Sequence, residues 1–183
     1  MLSGVGDEAP VEGGAPADPD LVAWARGLGA LQEAERLGSS RIGTEHLLLA
    51  SLLDPVARRL AHDAGIDFRT VQRHLGPPVR AGIGARPGLL PTTAQMYLSD
   101  GAGRALAAVR DGAAGEALFA DWVRPDLSTD PRARSVLRRR LLALLVAGEG
   151  ADAARSVLAR LEVEPRRDWL VARLADPDDP RPR

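Results

Sequence analysis

Apolar residues recur at every third or fourth position through most of this chain, the period of a helix with one face turned to a core. Leu21, Trp24, Leu28, Leu31, Ala34 and Leu37 form the first such stripe. Asp18 or Asp20, beside Pro19, is placed to cap it, and Gly38 to stop it. Thr44 is placed to cap a second predicted helix, Glu45 to Leu53. Asp54-Pro55 opens a third in the favoured order of cap and first-turn proline. Gly65 ends that helix, and Asp67 caps a fourth that reaches Leu75.

The second half is less regular. Gly76 to Pro91 is rich in breakers and reads as a linker. A helix is predicted from Thr92 or Thr93 to about Arg110, through Met96, Leu98, Leu106 and Val109, with Gly101 and Gly103 weakening its middle. Residues 111–128 are irregular but hold Phe119, Trp122 and Val123, which predicts a short helix or an ordered loop. Thr129 or Asp130, followed by Pro131, starts a helix to about Ala147. Two more are predicted, from about Gly150 to Leu161 and from Glu164 to Leu174. No segment sustains period-two alternation, so no strand is predicted. Trp24, Trp122 and Trp169 read as packing residues, Trp122 as the most exposed. The ends differ: residues 1–17 and 176–183 are rich in Gly, Pro and charge, and are expected to be disordered. The fold class expected is all-α.

Composition narrows the chemistry. With 183 residues, 45 % hydrophobic and 27 % charged, the chain has the make-up of a globular protein. A net charge of −1 gives no field that would steer it to nucleic acid or to a membrane surface. Cysteine is absent, which removes disulfides and thiolate chemistry. Lysine is absent too, so all basic residues besides histidine are arginine. A phosphate-binding loop of the Walker type needs its lysine, and so does Schiff-base chemistry. The longest apolar run, Leu141 to Ala147, is too short to span a bilayer. The first residues carry acid where a secretory signal would carry base, and a cytoplasmic location is expected.

The segment LQEAERLGSSRIGTEHLLLASLL, Leu31 to Leu53, resembles the repeat of the N-terminal substrate-receptor domain of Clp-family ATPases. LLALLVAGEGADAARSVLARL, from Leu141, is similar to the family's second repeat. ARRLAHDAGIDFRTVQRHL, from Ala57, can also be laid on AARSVLARLEVEPRRDWLVARL, from Ala153: helix, break at Ile66 or Val163, acidic cap, helix. The resemblance implies two four-helix repeats about a pseudo-twofold axis, the second divergent. Residues 18–75 would be repeat one, 76–91 the linker and 92–175 repeat two. It covers the receptor domain alone; no ATPase motif is present in the chain.

Departures from the family pattern concern the sites. The family's second repeat carries its own Gly-Thr-Glu-His turn, whereas Val136 to Val146 reads VLRRRLLALLV, without Glu or Thr. The first repeat has Asp54-Pro55 in place of the Gly-Glu-Gly loop, and residues 111–128 look like an insertion. In the family the Gly-Thr-Glu-His turn helps form a site for phosphorylated arginine. The resemblance therefore implies that Thr44 and nearby backbone N–H groups hold a phosphate while Glu45 pairs with a guanidinium, with Ser40 and Arg41 (and Ser39 beside them) adding contacts. The plainer reading is that Thr44 caps a helix and Glu45 complements its dipole.

Arg132, Arg134, Arg138, Arg139 and Arg140 form the densest basic cluster. Three consecutive helical residues span about 200° of azimuth, so Arg138, Arg139 and Arg140 cannot share a direction. A solvated face is the plain reading, and a second anion site the sharper one. His46 is expected in the core. His62 and His74 lack metal-ligand spacing, and Gly-X-Ser-X-Gly is absent. No catalytic residue, metal or cofactor is expected, and neither nucleic acid nor membrane is an expected partner. The expected function is non-enzymatic capture of a modified peptide, a Clp adaptor, substrate or ATPase. Sequestration of cyclic-peptide antibiotics, which the resemblance also implies, and a vestigial interaction module remain as alternatives.

Overall fold

The computed structural model describes residues 18–76, 97–118, 130–148 and 152–176. Phe119, Trp122, Val123 and most of the linker lie outside them. The regular structure among the described residues is helical apart from one pair of two-residue strands. In chain order it forms α1 (Pro19–Leu28), α2 (Ala30–Arg36), β1 (Arg41–Ile42), α3 (Thr44–Ser51), α4 (Pro55–Asp63), α5 (Phe68–Leu75), β2 (Tyr97–Leu98), α6 (Asp100–Ala113), α7 (Pro131–Ala147), α8 (Asp152–Arg160) and α9 (Arg167–Ala175). No helix among the described residues is long and apolar enough to cross a membrane.

The caps explain most of the boundaries. Asp18, Asp54, Asp67 and Asp130 each accept a hydrogen bond from a first-turn N–H of α1, α4, α5 and α7. These carboxylates satisfy donors that have no partner inside the helix. Pro follows three of them at the first helical position, as expected from sequence. Gly38, Gly65 and Gly148 have positive φ just past the ends of α2, α4 and α7.

The structure corrects the predicted elements in four places. The first apolar stripe is two helices, because Gly29 takes a left-handed conformation at φ 99° and turns the chain between them. The stripe survives the break: Leu21, Trp24, Leu28, Leu31 and Ala34 are all buried. Helix α3 is capped by Gly43, with Thr44 already in its first turn. Helix α6 starts at Asp100 and not near Thr92, with Ser99 accepting from the Ala102 N–H. Gly101 and Gly103 thus lie in its first turn and not in its middle. Finally, strands exist: β1 and β2 pair in parallel, Arg41 beside Tyr97 and Ile42 beside Leu98. Two residues are too few for alternation to register.

Two helices organise the core. Helix α3 touches α1, α2, α5, α6, α7 and α8, while α7 touches α1, α3, α4, α6, α8 and α9. All residues of α3 except Glu45 are buried. From α7, Leu137, Leu141, Leu142 and Leu145 are fully enclosed. Truncating one such leucine to alanine costs about 2–5 kcal/mol through lost transfer energy and the cavity left behind.

Polar side chains tie the helices together across long separations. The Ala154 N–H in α8 donates to Thr44 Oγ1 at 3.0 Å. Asp54 accepts from the Ala57 N–H at 2.8 Å through one oxygen and from the Ser135 hydroxyl of α7 at 2.6 Å through the other. Arginines serve the opposite helix ends. Arg138 Nε donates to the Leu28 carbonyl, Arg58 Nε to that of Leu52, Arg166 Nη1 to that of Asp63, and Arg167 Nη2 to that of Ala147. These carbonyls close α1, α3, α4 and α7, where unpaired acceptors and the helix dipole both favour a cation.

Candidate functional site

The Gly-Thr-Glu-His turn joins β1 to α3. Gly43 is extended, at φ −100° and ψ 176°, and its N–H donates to His46 Nδ1 at 2.9 Å. His46 is the third residue of α3, so its side chain reaches back to the cap as Glu or Gln does in a capping box. It is 3 % exposed. Burial pushes its pKa below the ordinary histidine value, against the pull of Glu45 and Glu33; Arg36 and Arg41 push the same way as burial. The neutral ring therefore carries its proton on Nε2 and keeps Nδ1 as an acceptor.

Thr44 and Glu45 diverge from that point. Thr44 is 2 % exposed and faces α8, where its hydroxyl accepts from Ala154. It caps another helix, not its own. Glu45 is the half-open member of the turn, its side chain 24 % exposed. Its carboxylate curls back over Gly43, so closely that a methyl group there would collide with it. Glu45 Oε1 lies 3.4 Å from His46 Nδ1, while Oε2 is buried without a hydrogen-bond partner among the described residues. Ser40 and Arg41 are exposed on the approach to the turn. The neighbouring Ser39 hydroxyl donates to the Arg41 carbonyl and accepts from its N–H, which closes the outer edge of β1. Tyr97, 57 % exposed, stands beside Arg41 on β2.

The arginine cluster does not converge either. Arg138 crosses the core edge to the Leu28 carbonyl at the break between α1 and α2, with Gly29 giving it room. Burial, and then Arg134 nearby, push its pKa down. Arg140 makes a two-pronged pair with Glu116 at 2.7 and 2.9 Å and also donates to the Gly112 carbonyl. Arg139 shares neither partner, and its Nε is buried without a hydrogen-bond partner among the described residues. As the azimuthal argument from sequence requires, Arg138 and Arg140 serve separate places.

Two grooves were not singled out from sequence. One, of about 370 Å³, is lined by Leu53, Pro55, Arg58, Arg59, His62, Asp67 and Phe68. The other, of about 350 Å³, lies at the end of α7 and includes Leu145, Val146, Arg155, Leu158 and Arg167. The available signal for the first was Arg58, Arg59 and His62 within one turn of a helix. No group of three or more His, Asp or Glu placed to hold a metal occurs among the described residues. No family model, curated protein or solved structure matches the chain.

Proposed function

We propose that this protein acts by binding, without catalysis, as a receptor module of the kind that precedes the motor in Clp-family ATPases. Its ligand would be a phosphoarginine-marked peptide, an adaptor or a substrate of a Clp protease system, met at Glu45 and the exposed Ser40-Arg41 approach. The observation that carries this reading is the unpartnered Glu45 oxygen beside an exposed loop, on the one turn whose sequence resembles the family site.

The arrangement of helices supports the two-repeat reading. α3 meets α8 as α7 meets α4, and α3 meets α6 as α7 meets α1. Both hairpins, α4–α5 and α8–α9, follow the central helix of their half. In the first the Ile66 N–H closes on the Ala61 carbonyl, in the second the Val163 N–H on the Leu158 carbonyl, the same six-residue closure.

A second reading has its own observation. Thr44 is already committed to Ala154, and Glu45 is folded on its own Gly43. Both favour an interaction module that keeps the turn for its architecture. Calorimetric titration separates the two. Phosphoarginine, free and within a peptide, is titrated into the protein and into Glu45→Ala, with circular dichroism checking the fold. Saturable binding that is lost in Glu45→Ala supports capture at this turn. Heat absent up to millimolar ligand leaves the turn with a structural role, and cyclic peptides and protein partners become the ligands to test.

A further inference from the structure

The α4–α5 hairpin concentrates basic charge that the chain as a whole lacks. Arg58, Arg59 and His62 of α4 and Arg69, Arg73 and His74 of α5 are all exposed. The carboxylates between them are Asp63 and Asp67, and Asp67 is occupied as the cap of α5 by the Thr70 N–H and hydroxyl. Those hydrogen bonds hold its carboxyl below the ordinary value, so it stays ionised and internally satisfied. The groove described above opens on this face, and Leu53, Pro55 and Phe68 give it an apolar floor.

Its arginines play different parts. Arg58 is fixed: it lies 4.6 Å over the Phe68 ring and donates to the Leu52 carbonyl. That contact pairs the guanidinium with the ring and leaves positive charge along the groove that both residues line. Arg59 is exposed and makes no hydrogen bond or ion pair with any described residue. His62 lies about one turn further along the same helix, and both it and Asp67 line the groove. At the matching positions the α8–α9 hairpin has Arg155, Ser156, Ala159 and Pro165, and its groove includes Glu162 and Glu164 opposite Arg155 and Arg167. The excess of positive charge over an apolar floor is thus particular to the first hairpin.

We infer that the groove of Leu53, Pro55, Arg59, His62 and Phe68 is a docking site for an acidic peptide segment carrying an apolar side chain. The apolar residue would sit on Leu53 and Phe68, and flanking carboxylates would meet Arg59 and the rim of α4. The site is independent of the Gly-Thr-Glu-His turn and stands whether or not that turn binds phosphoarginine. Unlike a nucleic-acid surface, it offers one apolar slot and no run of stacking rings.

The test uses the full chain and a fluorescein-labelled, end-capped octapeptide of alternating glutamate and leucine, read by fluorescence anisotropy. Saturable binding that weakens with salt is expected. Replacing the glutamates by glutamine, or the leucines by serine, should weaken it about tenfold or more, and so should Arg59→Glu. Arg160→Glu, the same charge change on exposed α8, should leave it unaltered, and circular dichroism should find both variants folded. The inference is overturned by absence of saturable binding up to about 1 mM peptide, a dissociation constant too weak for a specific site. It is equally overturned if the glutamine peptide binds as well, if Arg160→Glu weakens binding as much, or if an oligothymidylate of equal length binds more tightly.

Discussion

The hairpins α4–α5 and α8–α9 share a backbone plan and differ in how it is secured. In the first, Asp54 caps α4 from within, and Ser135 of α7 steadies it from across the molecule. In the second, the Ala154 N–H of α8 finds its acceptor on α3, in Thr44. The first hairpin turns on Gly65, at φ 94°, whereas the second turns on Glu162, at φ 53°. A glycine adopts that conformation freely; a residue with a Cβ does so at a cost of about 1–2 kcal/mol. The lesson is that one backbone plan tolerates quite different chemistry, provided each buried donor has an acceptor and surrounding packing holds any strained residue in place.

That comparison breaks most sharply at the caps. Asp54→Ala should destabilise by about 2–3 kcal/mol, since it removes a cap and strands the Ser135 hydroxyl. Thr44→Val keeps the shape but leaves the Ala154 N–H without its acceptor, and should cost about 1–2 kcal/mol. Urea denaturation with unchanged slope measures both. A loss near zero in Thr44→Val would mean that water replaces the hydroxyl, and the tie between α3 and α8 would carry no stability. The turns give a smaller, opposite pair of effects. Gly65→Ala should lose about 1 kcal/mol, whereas Glu162→Gly should gain up to about 1 kcal/mol by relieving the left-handed strain. If both variants lose stability, Glu162 is held by interactions worth more than its strain.

The finest test concerns pH at the cap of α3. His46 has a lowered pKa in the folded chain, so the unfolded chain binds the proton more readily. Stability from this group is present above the unfolded value of 6.5 and declines as pH falls through it towards the folded value. Protonated Nδ1 also ceases to accept from Gly43. His46→Gln retains an acceptor for the cap and should flatten the pH dependence between about 7 and 5. An unchanged slope in that variant would assign the acid sensitivity to carboxylates instead.

Much of the helical pattern was legible because its signals are local. Asp-Pro at the starts of α4 and α7, Asp67 at α5, and Gly38 and Gly65 past helix ends each act within a few residues. Gly29 escaped notice because the apolar spacing continues through it. β1 and β2 escaped because a two-residue pair is specified by its partner, not its own pattern. The candidate site was legible in part. The sequence placed Thr44 and Glu45 together at a helix start, but the acceptor role of Thr44 depends on a residue 110 positions away. The same holds for Arg138, whose carbonyl partner Leu28 is equally remote in sequence. The basic face of α4–α5 was written in plain spacing, and an overall charge near zero concealed it.

The enclosure of α3 has a consequence for motion. Its seven buried residues are covered by six other helices, so no single helix can lift away and bare its backbone to water. Amide protons along Leu47 to Ser51 should therefore exchange with deuterium only when the whole structure opens. Their protection should report the global free energy of unfolding, while amides near the exposed ends of α5 and α9 should exchange through local fraying long before.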